Sequence, residues 1–301
     1  MRTYLDCIPC FFAQALKAAR IAGADETTQK KLLAEVSKLV PDLPLGSTPP
    51  EMGRTVYQLV NKLTGNDDPF REIKKSSNQL ILDLYPKLKM MVENSEDRLL
   101  TAIRLAAAGN IIDYGAPTSF EIEEEVANCL KRDFTVFDYP DFKQKLDATE
   151  SVLYLGDNAG EVVFDRLLIE ELGKNIIYVV RDKPIINDAL IEDARDCGID
   201  KIARVISSGS DAPGTVLNLC SREFMEIYRK APLIISKGQG NFETLSEEKA
   251  PIFFLLKVKC RVIAKDIGCK VNDMILKSNL LTSSEKIFSS HASSPKSQRV
   301  Q

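Results

Sequence analysis

The stretch 151-SVLYLGDNAGEVVFD-165 decides the fold. An apolar run from Ser151 to Leu155 stops at Gly156, and a helical pattern begins after Gly160 and Glu161. A strand that passes through a tight, glycine-flanked turn into a helix is the first half of a βαβ unit. Four more β-branched or aromatic runs follow, NIIYVV, ARVISS, PLIISK and PIFFLL. Helix-length segments fall near residues 160–173, 187–197, 214–230 and 241–248. Such alternation predicts a parallel sheet covered by helices on both faces.

Upstream the texture is different. In the segment from Pro9 to Ala22, Phe11, Phe12, Ala15, Leu16 and Ala19 recur at helical spacing. Further helical runs are predicted over 26–40, 51–63, 70–92, 95–108 and 119–131, separated by PDLPLGSTPP, TGNDDPF and YGAPTS. Asn94 or Ser95, just ahead of Glu96 and Asp97, reads as an N-cap. The chain is thus read as α/β: a helical N-terminal domain over 1–148, a doubly wound, mostly parallel sheet over 149–280, and a disordered tail over 281–301.

Composition narrows the chemistry. The 301 residues carry a net charge of -3, with 44% hydrophobic and 28% charged residues, as in a soluble globular protein. There is no dense basic block, which argues against nucleic acid. No apolar run reaches membrane-spanning length, and MRTYLDC lacks a charged-then-apolar signal pattern. A cytoplasmic enzyme without membrane contact is expected, and nothing in the sequence sets its oligomeric state. The 7 cysteines are scattered and odd in number, which argues against a disulfide framework. The single histidine, His291, lies in the Ser-rich tail. A Ser-His-Asp triad, a Cys-His pair and a His-based zinc site are therefore excluded as organising principles.

Ligands of an open parallel sheet sit beyond the carboxyl ends of the strands. The segments that follow the five runs are GDNAGE, RDKPIINDA, GSDAPG, KGQGN and KVK. Asp157, Asn158 and Asp188 supply hard oxygen ligands, which suit magnesium or manganese. Asn158 and Asp188 also read as ordinary helix caps. Lys237, with Gly238 and Gly240, could meet a phosphate or be a solvated lysine in a glycine-rich turn. Ser207, Ser208 and Gly209 offer phosphate donors or a plain turn. Neither a Walker loop nor a GxGxxG fingerprint is present. Cys7 and Cys10 form a CxxC with no second pair, so they read as structural, redox or second-metal thiols.

Taken together, CIPCFFAQ, GNDDPF, AAGNIIDYG, GDNAGEVVFD, KPIINDA, SREFM and SKGQGNFETL resemble the metal-dependent damage-control phosphatases, long catalogued as a domain of unknown function. The resemblance runs from about residue 4 to 276 and is closest to the archaeal and bacterial branch with an N-terminal CxxC. It implies a helical domain packed on a Rossmann-like α/β domain, and a divalent metal (Mn, Mg, Co or Ni) held by Asp157, Asn158 and Asp188. It further implies Lys237 near the phosphate, and Glu161, Asn110 and Asp113 as pocket residues. Asp193 rivals Asp188 for the third metal position. The implied reaction is hydrolysis of a phosphate monoester on a small metabolite such as a sugar phosphate. Backbone N–H groups of the 207–214 loop (Ser208, Gly209) and the 238–241 loop (Gly238, Asn241) would hold the remaining oxygens. An S-adenosylmethionine-dependent carboxyl methyltransferase and a non-catalytic metabolite-binding or redox-sensing protein stand as alternatives.

Overall fold

The computed structural model describes residues 1–109 and 119–280, with backbone alone at 119–120. The N-terminal region builds α1 (Cys7–Ile21), α2 (Glu26–Leu39), α3 (Pro49–Thr64), α4 (Arg71–Glu93), α5 (Arg98–Ala108) and α6 (Ser119–Lys131). Their ends follow local chemistry. Asp25 accepts the Thr28 N–H at 2.8 Å to start α2, and Glu51 reaches back to the Thr48 N–H at 2.7 Å to start α3. The cap of α5 is Asp97, which accepts the Leu100 N–H at 2.9 Å. The expected caps Asn94 and Ser95 instead close α4: the Asn94 N–H donates to the Met90 carbonyl, and the Ser95 hydroxyl donates to the Val92 carbonyl at 2.7 Å.

The remaining elements are β1 (Phe134–Phe137), α7 (Tyr139–Asp147), β2 (Ser151–Leu155), α8 (Glu161–Leu172), β3 (Asn175–Val180), α9 (Ile191–Asp196), β4 (Arg204–Ser207), α10 (Arg222–Lys230), β5 (Ile234–Lys237), α11 (Gly238–Leu245), β6 (Ile252–Lys257), α12 (Arg261–Ile267) and β7 (Met274–Ser278). They form one sheet in the order β1-β7-β6-β5-β2-β3-β4. All neighbours are parallel except β6 and β7. Two strands were not foreseen, β1 and β7. The sheet residues therefore begin at Phe134, inside the segment expected to be helical. FTVF is a four-residue run, too short for periodicity to mark.

Successive residues of β2 enter different cores, as a pleated strand requires. Val152 and Tyr154 join a core with Ile81, Ala106 and Phe164, where α4, α5 and α8 cover one face. Leu153 and Leu155 join Phe224, Phe242 and Ile263 of α10, α11 and α12 on the other face. A third core, containing Phe11, Leu32 and Val56, belongs to α1, α2 and α3 and takes in Ile185 beside the sheet's carboxyl rim. Among the described residues no helix is long and apolar enough to cross a membrane.

Candidate active site

The carboxyl ends of β2 and β3 each release a turn, and the two turns are stitched together by backbone. The Ala159 N–H donates to the Asn187 carbonyl at 2.8 Å, and the Ala189 N–H donates to the Asp157 carbonyl at 2.8 Å. Asn158 and Asp188 thereby form an antiparallel bridge. Gly160 has φ +78° and lets the first turn swing into α8. Gly238 has φ +77°, and a Cβ there would collide with the Asp157 carboxylate. The β5–α11 turn needs glycine because Asp157 lies directly against its backbone. Ile186 has φ 48°, a strained conformation for a β-branched residue. Packing against the α1–α3 core holds it there.

The side chains of these turns are buried and linked. The Asn158 amide donates to Glu161 at 2.7 Å and to Asp157 at 3.2 Å. This leaves its Oδ1 as the atom available to a cation. Arg181, at the end of β3, lies under both turns. Its Nε donates to Asp188 at 2.7 Å, its Nη2 stands 3.7 Å from Asp157, and its other contacts are Asn241 and Thr215. Asn241 is fully engaged, since its amide donates to the Gly156 and Lys237 carbonyls.

Lys237 occupies a deeper layer. Its ammonium donates to Asp165 at 2.6 Å and Glu161 at 3.2 Å, while Tyr154 and Tyr178 also donate to Asp165. It is 1% exposed and does not line the cavity. Burial works against its charge, but Asp165 and Glu161 outweigh burial and hold its pKa above that of an ordinary lysine.

The electrostatics are lopsided. Burial, then the charges of Asp188 and Glu161, push the Asp157 carboxyl well above the usual carboxylate range. Burial also raises Asp188 against the pull of Arg181, and Glu161 against that of Lys237. Four buried carboxylates (Asp157, Glu161, Asp165 and Asp188) thus face two buried cations, Arg181 and Lys237. This surplus of negative charge, beside two carboxylates and an amide oxygen at a cavity wall, fits a hard divalent cation. Among the described residues no three His, Cys, Asp or Glu side chains form a ready-made metal cage. The oxygen set depends on the Asn158 amide.

Asp157, Asn158 and Asp188 line a cavity of about 420 Å³ between the rim and the helical region. Its other walls include Cys7, Cys10 and Gln14 of α1, Gln239 and Glu243 of α11, and Lys259 and Cys260 after β6. Lys259 is close enough for its charge to lower the pKa of Asp157, Glu161 and Asp188. Its N–H donates to Gln239 at 3.2 Å, which ties that loop to α11. Burial raises the Cys7 and Cys10 thiols, and all seven cysteines are free.

Of the residues singled out from sequence, Asp157, Asn158 and Asp188 come together, with Glu161 directly behind. Cys7 and Cys10 share their cavity. Ser208 and Gly209 do not line it: the Ser208 Oγ accepts the Ser210 N–H at 3.2 Å, and Gly209 packs on Ser221. Asp193 faces away, accepting from Asn78 at 2.8 Å and from the Leu190 N–H at 2.9 Å. Asn110 and Asp113 lie outside the described residues. Arg181, Asp165 and Lys259 were missed. A charged residue that directly follows a buried strand is the signal that would have found Arg181; Lys259 stands two positions beyond the end of β6 and carries no such mark.

Comparison with known proteins adds independent findings. Residues 3–275 match the profile of a family described as the damage-control phosphatase ARMT1-like domain. The chain is 37% identical over 278 residues to a damage-control phosphatase of Pyrococcus horikoshii, covering 89% of this chain and 94% of that one. It is 34% identical over 284 residues to a damage-control phosphatase of Archaeoglobus fulgidus, covering 90% and 97%. A crystal structure of a DUF89 family protein from P. horikoshii superposes with a TM-score of 0.84 at 33% identity, covering 93% of this chain and 99% of that one.

Proposed function

The chain belongs to the damage-control phosphatase ARMT1-like domain family, and from that premise we propose that it is a metal-dependent phosphatase. Its substrates are phosphate monoesters of small, damaged or side-product metabolites, sugar phosphates among them. The observation that carries the reading is the pair of stitched turns, which brings Asp157, Asn158 and Asp188 to one cavity wall with negative charge in excess.

Asp157, Asn158 Oδ1 and Asp188 would hold the divalent ion, with manganese, magnesium, cobalt and nickel as candidates. When bound, it supplies electrostatic stabilisation of phosphoryl charge and a more acidic water. The chain's own residues do the rest. Arg181 fixes the Asp188 carboxylate and offsets part of its charge from below. Glu161 orients the Asn158 amide so that its carbonyl oxygen points away from the carboxylates. Lys259, on the cavity wall, meets the phosphate. Lys237 acts one layer down, donating to Glu161 and Asp165 and offsetting part of their buried charge. Asp157, on the cavity wall, is the carboxylate placed to accept a proton, since none of the described residues is a histidine. Gln14, Gln239 and Glu243 offer hydrogen bonds to the hydroxyls of the leaving group.

A phosphate-release screen of sugar phosphates and phosphorylated cofactors against Mn, Mg, Co and Ni tests the proposal. Turnover that requires one of these ions, and that Asp157→Asn abolishes, is the expected result. Equal turnover in wild type and Asp157→Asn refutes it.

A further inference from the structure

Asn78 of α4 lies outside the cavity, yet it touches both sides of the metal-bearing construction. Its Oδ1 accepts the Gly160 N–H at 2.6 Å, and Gly160 closes the turn that carries Asp157 and Asn158. Its Nδ2 donates to Asp193 Oδ1 at 2.8 Å. The other Asp193 oxygen accepts the Leu190 N–H at 2.9 Å, which pins the chain just after Asp188. Asn78 is 4% exposed and Asp193 is 3% exposed, so solvent cannot substitute for either partner. One turn earlier on α4, the buried Lys74 stands 3.1 Å from Asp68 and 3.9 Å from Asp193. Asp68 belongs to the GNDDPF run, which sequence reading treats as a turn and cap. Here it anchors the lysine that balances Asp193.

We infer that Asn78 is a positioning residue whose single amide braces the backbone-stitched Asp157–Asn158 and Asp188 turns from behind, and with it supports the affinity of the site for a divalent cation. The inference rests on the metal reading above. Its physical basis is that an asparagine has one acceptor and one donor group in fixed relation, the first used on the Gly160 turn and the second on Asp193 in the first turn of α9. Groups that orient metal ligands from behind commonly change affinity by one to two orders of magnitude when lost.

The geometry supplies a rescue. Asn78→Asp keeps the acceptor for Gly160 but sets a carboxylate against Asp193. Asp193→Asn cannot satisfy Asn78 and the Leu190 N–H together, because one of its faces is then a donor meeting a donor. The exchanged pair, Asn78→Asp with Asp193→Asn, restores all three hydrogen bonds, with donor and acceptor reversed only between residues 78 and 193, and conserves the charge.

Two measurements on the full chain test this. Titration calorimetry with Mn²⁺ alone should show Kd raised about tenfold or more in Asn78→Ala, Asn78→Asp and Asp193→Asn. The exchanged pair should return to within about threefold of wild type, and Gln79→Ala, on the exposed face of α4, should not change it. Amide hydrogen exchange of the 156–161 segment without metal should speed up about tenfold in Asn78→Ala and recover in the exchanged pair. Wild-type Mn²⁺ affinity and exchange in Asn78→Ala would overturn the inference. So would an exchanged pair that folds but stays as weak as the single variants. If wild type binds no divalent ion, the metal reading falls. The exchange arm then still decides whether Asn78 holds the turn.

Discussion

At the scale of single residues, Asp157 and Asp188 look alike in sequence and differ in surroundings. Asp188 is bound to the buried guanidinium of Arg181, so Asp188→Ala leaves that charge without its hydrogen-bonded carboxylate. Such a variant should lose activity and about 3–5 kcal/mol of stability, measurable by urea unfolding. Asp157 has only a 3.7 Å approach from Arg181 and sits among like charges. Asp157→Asn should lose activity but gain stability in the metal-free protein, by on the order of 2–4 °C in Tm for about 1 kcal/mol. The sign follows from linkage. A carboxyl whose pKa is raised by folding binds more protons in the native state, so its ionisation costs stability as pH rises above about 4. The gain of Asp157→Asn should therefore shrink toward pH 4 and grow toward neutrality, which a Tm series across pH reads directly. Lys237 was legible as a lysine at the end of a buried strand, and β5 ends on it, but the glycine-rich loop expected over 238–241 is the first turn of α11. Its depth was not legible, because that is set by Asp165, Tyr154 and Tyr178, partners from α8, β2 and β3 that no local spacing connects.

At the scale of elements, strands and helices that carry their own signals were readable. GDNAGE announces the β2–α8 turn, and the helical runs of α2 to α4 end within two residues of expectation. The strands that escaped, β1 and β7, are short and pair with each other at the sheet edge, and the short helices α7 and α12 were not marked out either. The two strands exist by virtue of tertiary pairing rather than pattern. Asp97 replaced Asn94 and Ser95 as the cap of α5 because those two residues complete the preceding helix. Asp97→Ala should accordingly cost about 1 kcal/mol in chemical denaturation. The first turn of α1 brings Cys7 and Cys10 to the cavity, where burial raises both thiols and keeps them protonated at neutral pH. Replacing both with serine should leave metal-dependent turnover within about twofold. Loss of turnover with the metal retained would move the thiols into the mechanism.

For the whole molecule, the parallel order of β2, β3, β4, β5 and β6 gathers polar turns at one rim, and α1 and α3 close the cavity above it. Strand alternation was enough to place Asp157, Asn158 and Asp188 on a common edge. It could not reveal that Arg181 lies beneath them, that Lys259 rather than Lys237 faces the cavity, or that α4 braces the turns from behind. The α4 contacts join residues 82 and 115 positions apart, the others join neighbouring rim loops, and only the assembled fold defines them. The central claim is that these three oxygen ligands make the protein a metal-dependent phosphatase. It is tested most directly by phosphate release from a sugar phosphate after chelation and readdition of Mn²⁺, in wild type and Asp157→Asn. The account predicts activity lost with the chelator, restored by Mn²⁺ in wild type and absent throughout in the variant; full turnover in the chelator, or in Asp157→Asn, would contradict it.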